Sequence, residues 1–472
     1  MRKISLLLNL SAALLVTQIG HADDLMAIYE RAMRSDPSIR EADANRLATL
    51  ESKPQAVSAL LPQLSAGSSY GYNQADGTRI VTIPDATNNA LVEATSPFDQ
   101  DSTTLRWNVD LRQSVFNWDR WVTLKTADKQ VAQAEADYRS AEQDLMVRVA
   151  TAYFDVLAAQ DTLESEQAAK EAIARQLEQA NKRFEVGLIA ITDVQEAQSA
   201  FDTATAAEIL AKRNVATSKE FLREIVGEIP EKLNKPKEEI PLLNPEPAVE
   251  DEWVTTAMQK NLSLLSSEIA AEISRDNVAF QRTGHYPTIE LVGSYNSSDA
   301  KGDSAAGVRN PADPTGDLLL GPPQKADNDR TGYDVSLQLS IPIYSGGNVS
   351  SRTQQAVYEH RAARERFERT ARQTERETRD AYLGVVSEIA RVKALKQARK
   401  SARTALRATE AGFDVGTRTT VDVLDQRRQL FAADVNYARS RYDYIINVLL
   451  LKQAAGGLMI DDLVEVNGWL EQ

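Results

Sequence analysis

Apolar positions along this chain follow two periods, and each half of the chain uses both in the same order. From Leu105 to Arg112 the period is two. Leu105, Trp107, Val109 and Leu111 fall on one face, and Arg106, Asn108, Asp110 and Arg112 on the other. In the second half Val335, Leu337, Leu339, Ile341 and Ile343 alternate with Asp334, Ser336, Gln338 and Ser340. Each alternation predicts a strand with one apolar and one polar face. Each has a weaker strand upstream, over about 63–74 after Pro62 and about 287–297 after Pro287, which makes strands of about 103–116 and 332–344 the second of each pair. Between the members of each pair, Asn73–Ser102 and Asn296–Thr331 are rich in Gly, Asn, Asp and Pro and predict long polar loops.

After each second strand the period changes. From Asp119 to Val186 there is neither Pro nor Gly, and Leu145, Val149, Ala152, Val156, Ala159 and Leu163 repeat with 4-3 spacing. Met146, Ala150, Tyr153 and Leu157 form a second stripe beside that seam. At about 1.5 Å per residue, roughly 68 helical residues would span on the order of 100 Å, far beyond the usual globular helix. A helix with two adjoining seams packs against neighbours on two sides, like a stave in a curved wall. The second long helix is predicted over 348–415, with Gly384 interrupting its middle.

Both long helices run into the same punctuation. Phe184-Glu-Val-Gly187 is matched by Phe413-Asp-Val-Gly416, and Asp193-Val by Asp422-Val, about 229 positions later. Each stretch reads as the turn of a helical hairpin, with returning helices over about 192–226 and 420–455. Thr192-Asp-Val-Gln195 has the spacing of a capping box for the first of these. The predicted organisation is a first repeat over 23–231, a Pro-rich, charged linker over 232–250, a second repeat over 251–456 and a short tail over 457–472. The Pro in Lys232–Pro247 argues for little structure there.

Composition narrows the setting. Arg2 and Lys3, the apolar run Ile4–Val16 and Gly20-His21-Ala22 form a secretory signal over 1–22, so the mature chain is expected to start at Asp23. The 472-residue chain has no Cys, which excludes disulfides, and a formal net charge of −14, which argues against nucleic acid. His21, His285 and His360 are the only histidines and lack ligand spacing, so no metal or cofactor is expected. No catalytic constellation is present, and an enzyme is not expected.

Four strands cannot close a barrel, and open edges are not tolerated in lipid. If the strands are transmembrane, the chain must oligomerise, and three copies would supply twelve strands. A structural or adhesive coiled-coil protein of the envelope, with the strands as a small cap, is the competing class. The duplicated Gly turns and two-faced strands discriminate, since a fibre needs neither.

Several contiguous stretches, in order and twice over, resemble the TolC family of outer-membrane channels. They are LLPQLSAGSSYGY, TAYFDVLAAQDTL, RFEVGLIAITDVQEAQ, NLSLL, GHYPTIEL, LSIPIYSGG and AGFDVGTRTTVDVLD. The resemblance covers nearly all of the mature chain. It implies a mostly α fold with a transmembrane β-barrel: a homotrimer with a twelve-stranded barrel in outer-membrane lipid on a long α-helical periplasmic tunnel. It implies an exit duct for drugs or proteins, working with a periplasmic adaptor and an inner-membrane RND or ABC transporter.

The resemblance also implies residue roles. Asp422 and Asp425 would form acidic rings at the periplasmic constriction and favour cations, although carboxylates in a first helical turn also suit the helix dipole alone. Arg418 with Thr192 and Asp193, and Gln176 with Glu410, match a closing network, although they also read as solvated surface charges. The family's Tyr in that network is Phe413 here, so one hydroxyl bond to Asp193 is lost and closure is expected to rest more on Arg418. Val186, Gly187, Leu188, Val415, Gly416 and Thr417 match the adaptor-docking tips, while Gly in a helix turn needs no partner. Arg106, Asn108, Asp110, Arg112, Asp334 and Gln338 would line the barrel lumen.

Overall fold

The computed structural model describes residues 24–84, 90–230, 232–310 and 317–471. The predicted signal over 1–22 lies outside them. The chain divides into two compact units.

One unit, residues 50–131 and 272–361, is built on a sheet. Strands β1 (Gln63–Pro84) and β2 (Leu91–Phe116) form an antiparallel hairpin. β3 (Thr288–Val308) pairs with β2 on one side. On its other side it pairs in turn with the two-residue strands β4 (Leu319–Leu320) and β5 (Gln324–Lys325), and then with β6 (Asn328–Ser340). Among the described residues, β1 is hydrogen-bonded only to β2 and β6 only to β3, so both edges of the sheet are open.

The expected loops are largely strand. β1 and β2 run through most of 73–102, and β3 runs to Val308, so the hairpins are far longer than their alternating cores suggested. Thr78–Ile83 is β-branched except at Arg79 and pairs with 92–97, which outweighs the Gly, Asp and Pro that punctuate it. At the other end β6 stops at Ser340 rather than 344, just before Pro342, which has no N–H to give a ladder.

Register brings like with like. Leu111 lies between Leu64 and Gly293, Val109 between Ala66 and Tyr295, and Tyr295 is opposite Tyr333. Leu291 and Ile289 meet Leu337 and Leu339. The result is one continuous apolar face, and it is uncovered: Tyr333 is 85% exposed and Leu337 66%. The opposite face carries Arg106, Asn108, Asp110 and Arg112 with Ser, Asn and Glu290 of β3 beside them. Arg112 and Arg120 both pair with Glu290, and Asn108 bonds Asp110.

The other unit, residues 24–49, 132–271 and 362–471, is helical. It contains α1 (Leu25–Ser35) and α2 (Pro37–Leu50), while α3 (Ser52–Ser58) belongs with the sheet. The long α4 (Trp118–Glu185) and α5 (Ile191–Val226) form one hairpin. α6 (Glu250–Lys260) and α7 (Leu262–Arg282) follow the linker. The long α8 (Asn348–Asp414) and α9 (Thr420–Ala454) form the second hairpin, and α10 (Ile460–Gly468) ends the chain.

Both predicted stripes of α4 are used. Leu145, Val149 and Val156 pack in the same core as Met146, Ala150, Tyr153 and Leu157, with α1, Val385 and Ile389 of α8, and Ile445 and Leu449 of α9. Two seams thus bury one helix on two sides. Gly384 has a reason to be Gly. A Cβ there would lie 2.9 Å from Oδ1 of Asn447, so its absence lets α9 approach α8.

The linker and the tail depart from expectation. Leu233 and Ile240 are buried in the main core. Tyr153 donates its hydroxyl to the Asn234 carbonyl at 2.7 Å, and Lys235 pairs with Asp161 at 2.8 Å. Pro236 bridges to Leu470, and the Glu471 N–H donates to the Lys235 carbonyl at 2.8 Å. Linker and tail therefore satisfy each other's backbone, a pairing over some 230 residues of chain that no local pattern shows.

Candidate functional site

The turns at the ends of the two hairpins share one backbone solution. Gly187 has φ 75° and Gly416 φ 82°, the left-handed region that side chains resist. In the first turn the N–H of Gly187 donates to the Phe184 carbonyl at 2.8 Å and that of Leu188 to Arg183 at 2.9 Å. In the second, Gly416 donates to Phe413 at 3.0 Å and Thr417 to Gly412 at 2.8 Å. This pair of bonds is a Schellman cap, closing the last carbonyls of α4 and α8. Val186, Leu188 and Val415 then stand out at 69%, 72% and 75% exposure, as the turns predict.

The returning helices begin differently. Thr419 caps α9: its hydroxyl accepts from the Asp422 N–H at 3.2 Å, and Asp422 accepts from the Thr419 N–H at 2.8 Å. That is a complete capping box. α5 starts at Ile191 with Ala190 in the cap position and no side-chain bond there. The capping box expected at Thr192 is therefore absent. Thr192 lies inside the first turn, and the position that corresponds to Thr419 holds Ala190, which has no hydroxyl.

Asp422 is set as a lasting negative charge. The Thr419 N–H, then its hydroxyl, then the nearby Arg418 charge hold its carboxyl below the usual carboxylate range. Only one of its oxygens is engaged by Thr419. Asp425, one turn on, faces Arg428 at 3.6 Å, with both side chains more than half exposed.

The expected closing network is not assembled within one chain. Glu410 accepts from Arg427 of α9 at 2.7 Å rather than from Gln176, because α8 and α9 are hairpin partners and Gln176 lies on α4. Gln176 is itself 8% exposed. Arg418 bonds through its N–H to the Gly412 carbonyl at 3.2 Å, and its side chain reaches neither Thr192 nor Asp193. The two hairpins do touch near their ends. Leu424 packs on Ile173 and Ala204, and the Arg183 guanidinium sits 4.7 Å from the centre of the Phe413 ring. Arg183 and Arg427 were not predicted. A cation after two apolar seams have ended carries no periodic signal.

In the sheet unit, register places Arg106, Asn108, Asp110, Arg112, Asp334 and Gln338 on one face, with Ser294 between Asp110 and Asp334. Among the described residues no group of His, Cys, Asp or Glu is arranged to hold a metal, and no helix is long and apolar enough to cross a membrane.

Paired long-helix hairpins and an open-edged, two-faced sheet define a class, and the chain belongs to the outer membrane efflux protein family, whose model matches residues 28–228 and again 253–457. The family consists of channel proteins of the outer membrane, which is where this chain resides. It is 36% identical to the outer membrane protein TolC of Vibrio cholerae serotype O1, over 95% of this chain and 94% of that one. It is 27% identical to the alkaline protease secretion protein AprF of Pseudomonas aeruginosa, over 98% of this chain and 90% of that one. A membrane protein from Pseudomonas aeruginosa of known crystal structure shares the fold with a TM-score of 0.71 at 18% identity, over 92% of this chain and 91% of that one.

Proposed function

We propose that three copies of this chain join through the open edges of β1 and β6 into a closed barrel of twelve strands, and that their hairpins form a helical tunnel in the periplasm. The observation that carries this reading is the sheet: a continuous apolar face left bare, between two edges with no partner among the described residues. The bare apolar face is unfavourable in water, and the open edges are unfavourable in lipid. Edge pairing between copies removes both problems, with outer-membrane lipid against the apolar face and water against Arg106, Asn108, Asp110, Arg112, Asp334 and Gln338.

A tilted strand needs about 9–11 residues to cross a membrane. The 13 residues of β6 suffice, and the 22 of β1 and 26 of β2 exceed it, so their outer parts extend beyond the lipid. The duct carries cargo outward, drugs or proteins, from an inner-membrane RND or ABC transporter through a periplasmic adaptor. The adaptor docks on the exposed tips at Val186, Gly187, Leu188, Val415, Gly416 and Thr417. At rest the tip is closed, Arg418 of one protomer reaching Thr192 and Asp193 of its neighbour, with Gln176 and Glu410 in the same network. Asp422 and Asp425 face the narrowed pore.

Single-channel recording in planar bilayers tests this, with wild type beside Arg418→Ser. Small, cation-preferring wild-type openings that grow in the variant are the expected result. Failure of detergent-solubilised protein to form trimers or insert into the bilayer would overturn the barrel and return the coiled-coil reading.

A further inference from the structure

We propose that Arg183 is a positioning residue of the closed tip, acting as a cation–π latch that ties the first hairpin of each protomer to the second through Phe413. The inference rests on the channel reading for its effect on conduction, but not for the contact itself.

The guanidinium lies 4.7 Å from the ring centre, inside the roughly 6 Å over which a cation is attracted to an aromatic face. Its position is not explained by an ion pair. Among the described residues no carboxylate pairs with Arg183, whereas the adjacent Lys182 is held by Glu178 of its own helix at 2.6 Å. The ring has no polar atom, so its face is the only handle Phe413 offers to a charge.

The consequence runs through the backbone. The Phe413 carbonyl accepts from Gly416, and the Gly412 carbonyl accepts from Thr417 at 2.8 Å and from Arg418 at 3.2 Å. A Cβ on Gly412 would lie 2.8 Å from Cγ of Arg418, so that side chain is laid directly over the turn. Fixing Phe413 against α4 therefore fixes the turn from which Arg418 projects. Arg183 acts on the gate through Phe413 and the turn, without touching the pore.

A bland role competes with this one. A cation in the last turn of α4 also suits the helix dipole, and that role has no use for Phe413. A double-mutant cycle separates them. In single-channel records, Arg183→Gln and Phe413→Leu are each expected to raise the open-to-closed dwell-time ratio roughly two- to fivefold, the factor an exposed cation–π contact supplies. The double variant is expected not to exceed the larger single effect. An unchanged ratio in Arg183→Gln, or a double variant equal to the product of the singles, would overturn the latch.

The absence of Cys from the chain allows a second readout that needs no pore. Spin labels at Leu188→Cys and Thr417→Cys, in trimers diluted with unlabelled chain, are expected to give a narrow distance distribution that broadens in Arg183→Gln. If neither wild type nor variant conducts, the channel reading fails while this distance still decides the latch: broadening supports it, and an unchanged distribution overturns it.

Discussion

The two hairpin turns of this chain are built from one plan and finished differently. Both end a long helix on a Gly with positive φ and the same two backbone bonds. Both place an Asp at the third position of the returning helix, Asp193 in α5 and Asp422 in α9. Only the second has a hydroxyl to receive that Asp's N–H, because Thr419 stands where the first has Ala190. Both follow that Asp with a second acid three residues on, Glu196 and Asp425, but only the second carries Arg418 in the turn. A duplicated backbone thus carries an uncapped turn and a capped one that also holds Arg418. In the proposed channel, the second hairpin is the one that governs ions.

The largest effect expected from this contrast is on selectivity. Asp422→Ala with Asp425→Ala removes six carboxylates from the proposed trimer, and the cation preference read from reversal potentials should fall roughly threefold or more at low salt, where screening is weak. Asp193→Ala, on the uncapped turn, should leave reversal potentials unchanged. Equal effects from the two hairpins would break the comparison.

A pH series sharpens it. The carboxyl of Asp422 is held below the usual range, so its charge is present above the unfolded value of about 3.9 and is lost only as pH falls through the lower, folded value. The cation preference should therefore hold from pH 7 to about pH 5 and decay only below about pH 4. A midpoint well above that, measured by reversal potential, would mean that the rings repel one another strongly enough to override the cap.

Much of this molecule was legible in the sequence where a period repeats and a neighbour is near. The two seams of α4, the Gly turns and the face alternation of β2 all depend on side chains a few positions apart, and each stands where its spacing put it. What was misread depends on pairing that side-chain periodicity does not show. Asn73–Ser102 looked like loop because Gly77 and Pro97 punctuate it, yet its own two ends pair with each other, 73–84 with 91–102. The linker looked structureless because Leu233, Tyr153 and Leu470 meet only in three dimensions. At the site, Thr192 resembled a cap because local spacing cannot place a helix start to within two residues. Arg427 and Arg183 were invisible because a charge on a solvated helix face looks the same whether or not a partner lies across from it.

The cap itself offers the smallest and cleanest test, because the difference between the hairpins reduces to one hydroxyl. Thr419→Ala removes an N-cap, a loss of about 1 kcal/mol in helices generally, so amides in the first turn of α9 should exchange roughly fivefold faster. The reverse change is more telling. Ala190 already has the extended backbone of a cap, φ −81° and ψ 157°, close to the −95° and 164° of Thr419. Asp193 already occupies the position from which Asp422 answers its cap. The Asp193 N–H donates to the Ala190 carbonyl at 3.2 Å, so in Ala190→Thr it has only to turn to the new hydroxyl to complete the box. That should slow exchange of the Asp193 amide by roughly two- to fivefold, read by hydrogen–deuterium exchange with the second hairpin as internal reference. Unchanged exchange would mean that Asp193 is oriented by something other than its own turn. In a trimer the candidate is Arg418 of the neighbouring protomer, so Ala190→Thr should then become protective once Arg418→Ser is added.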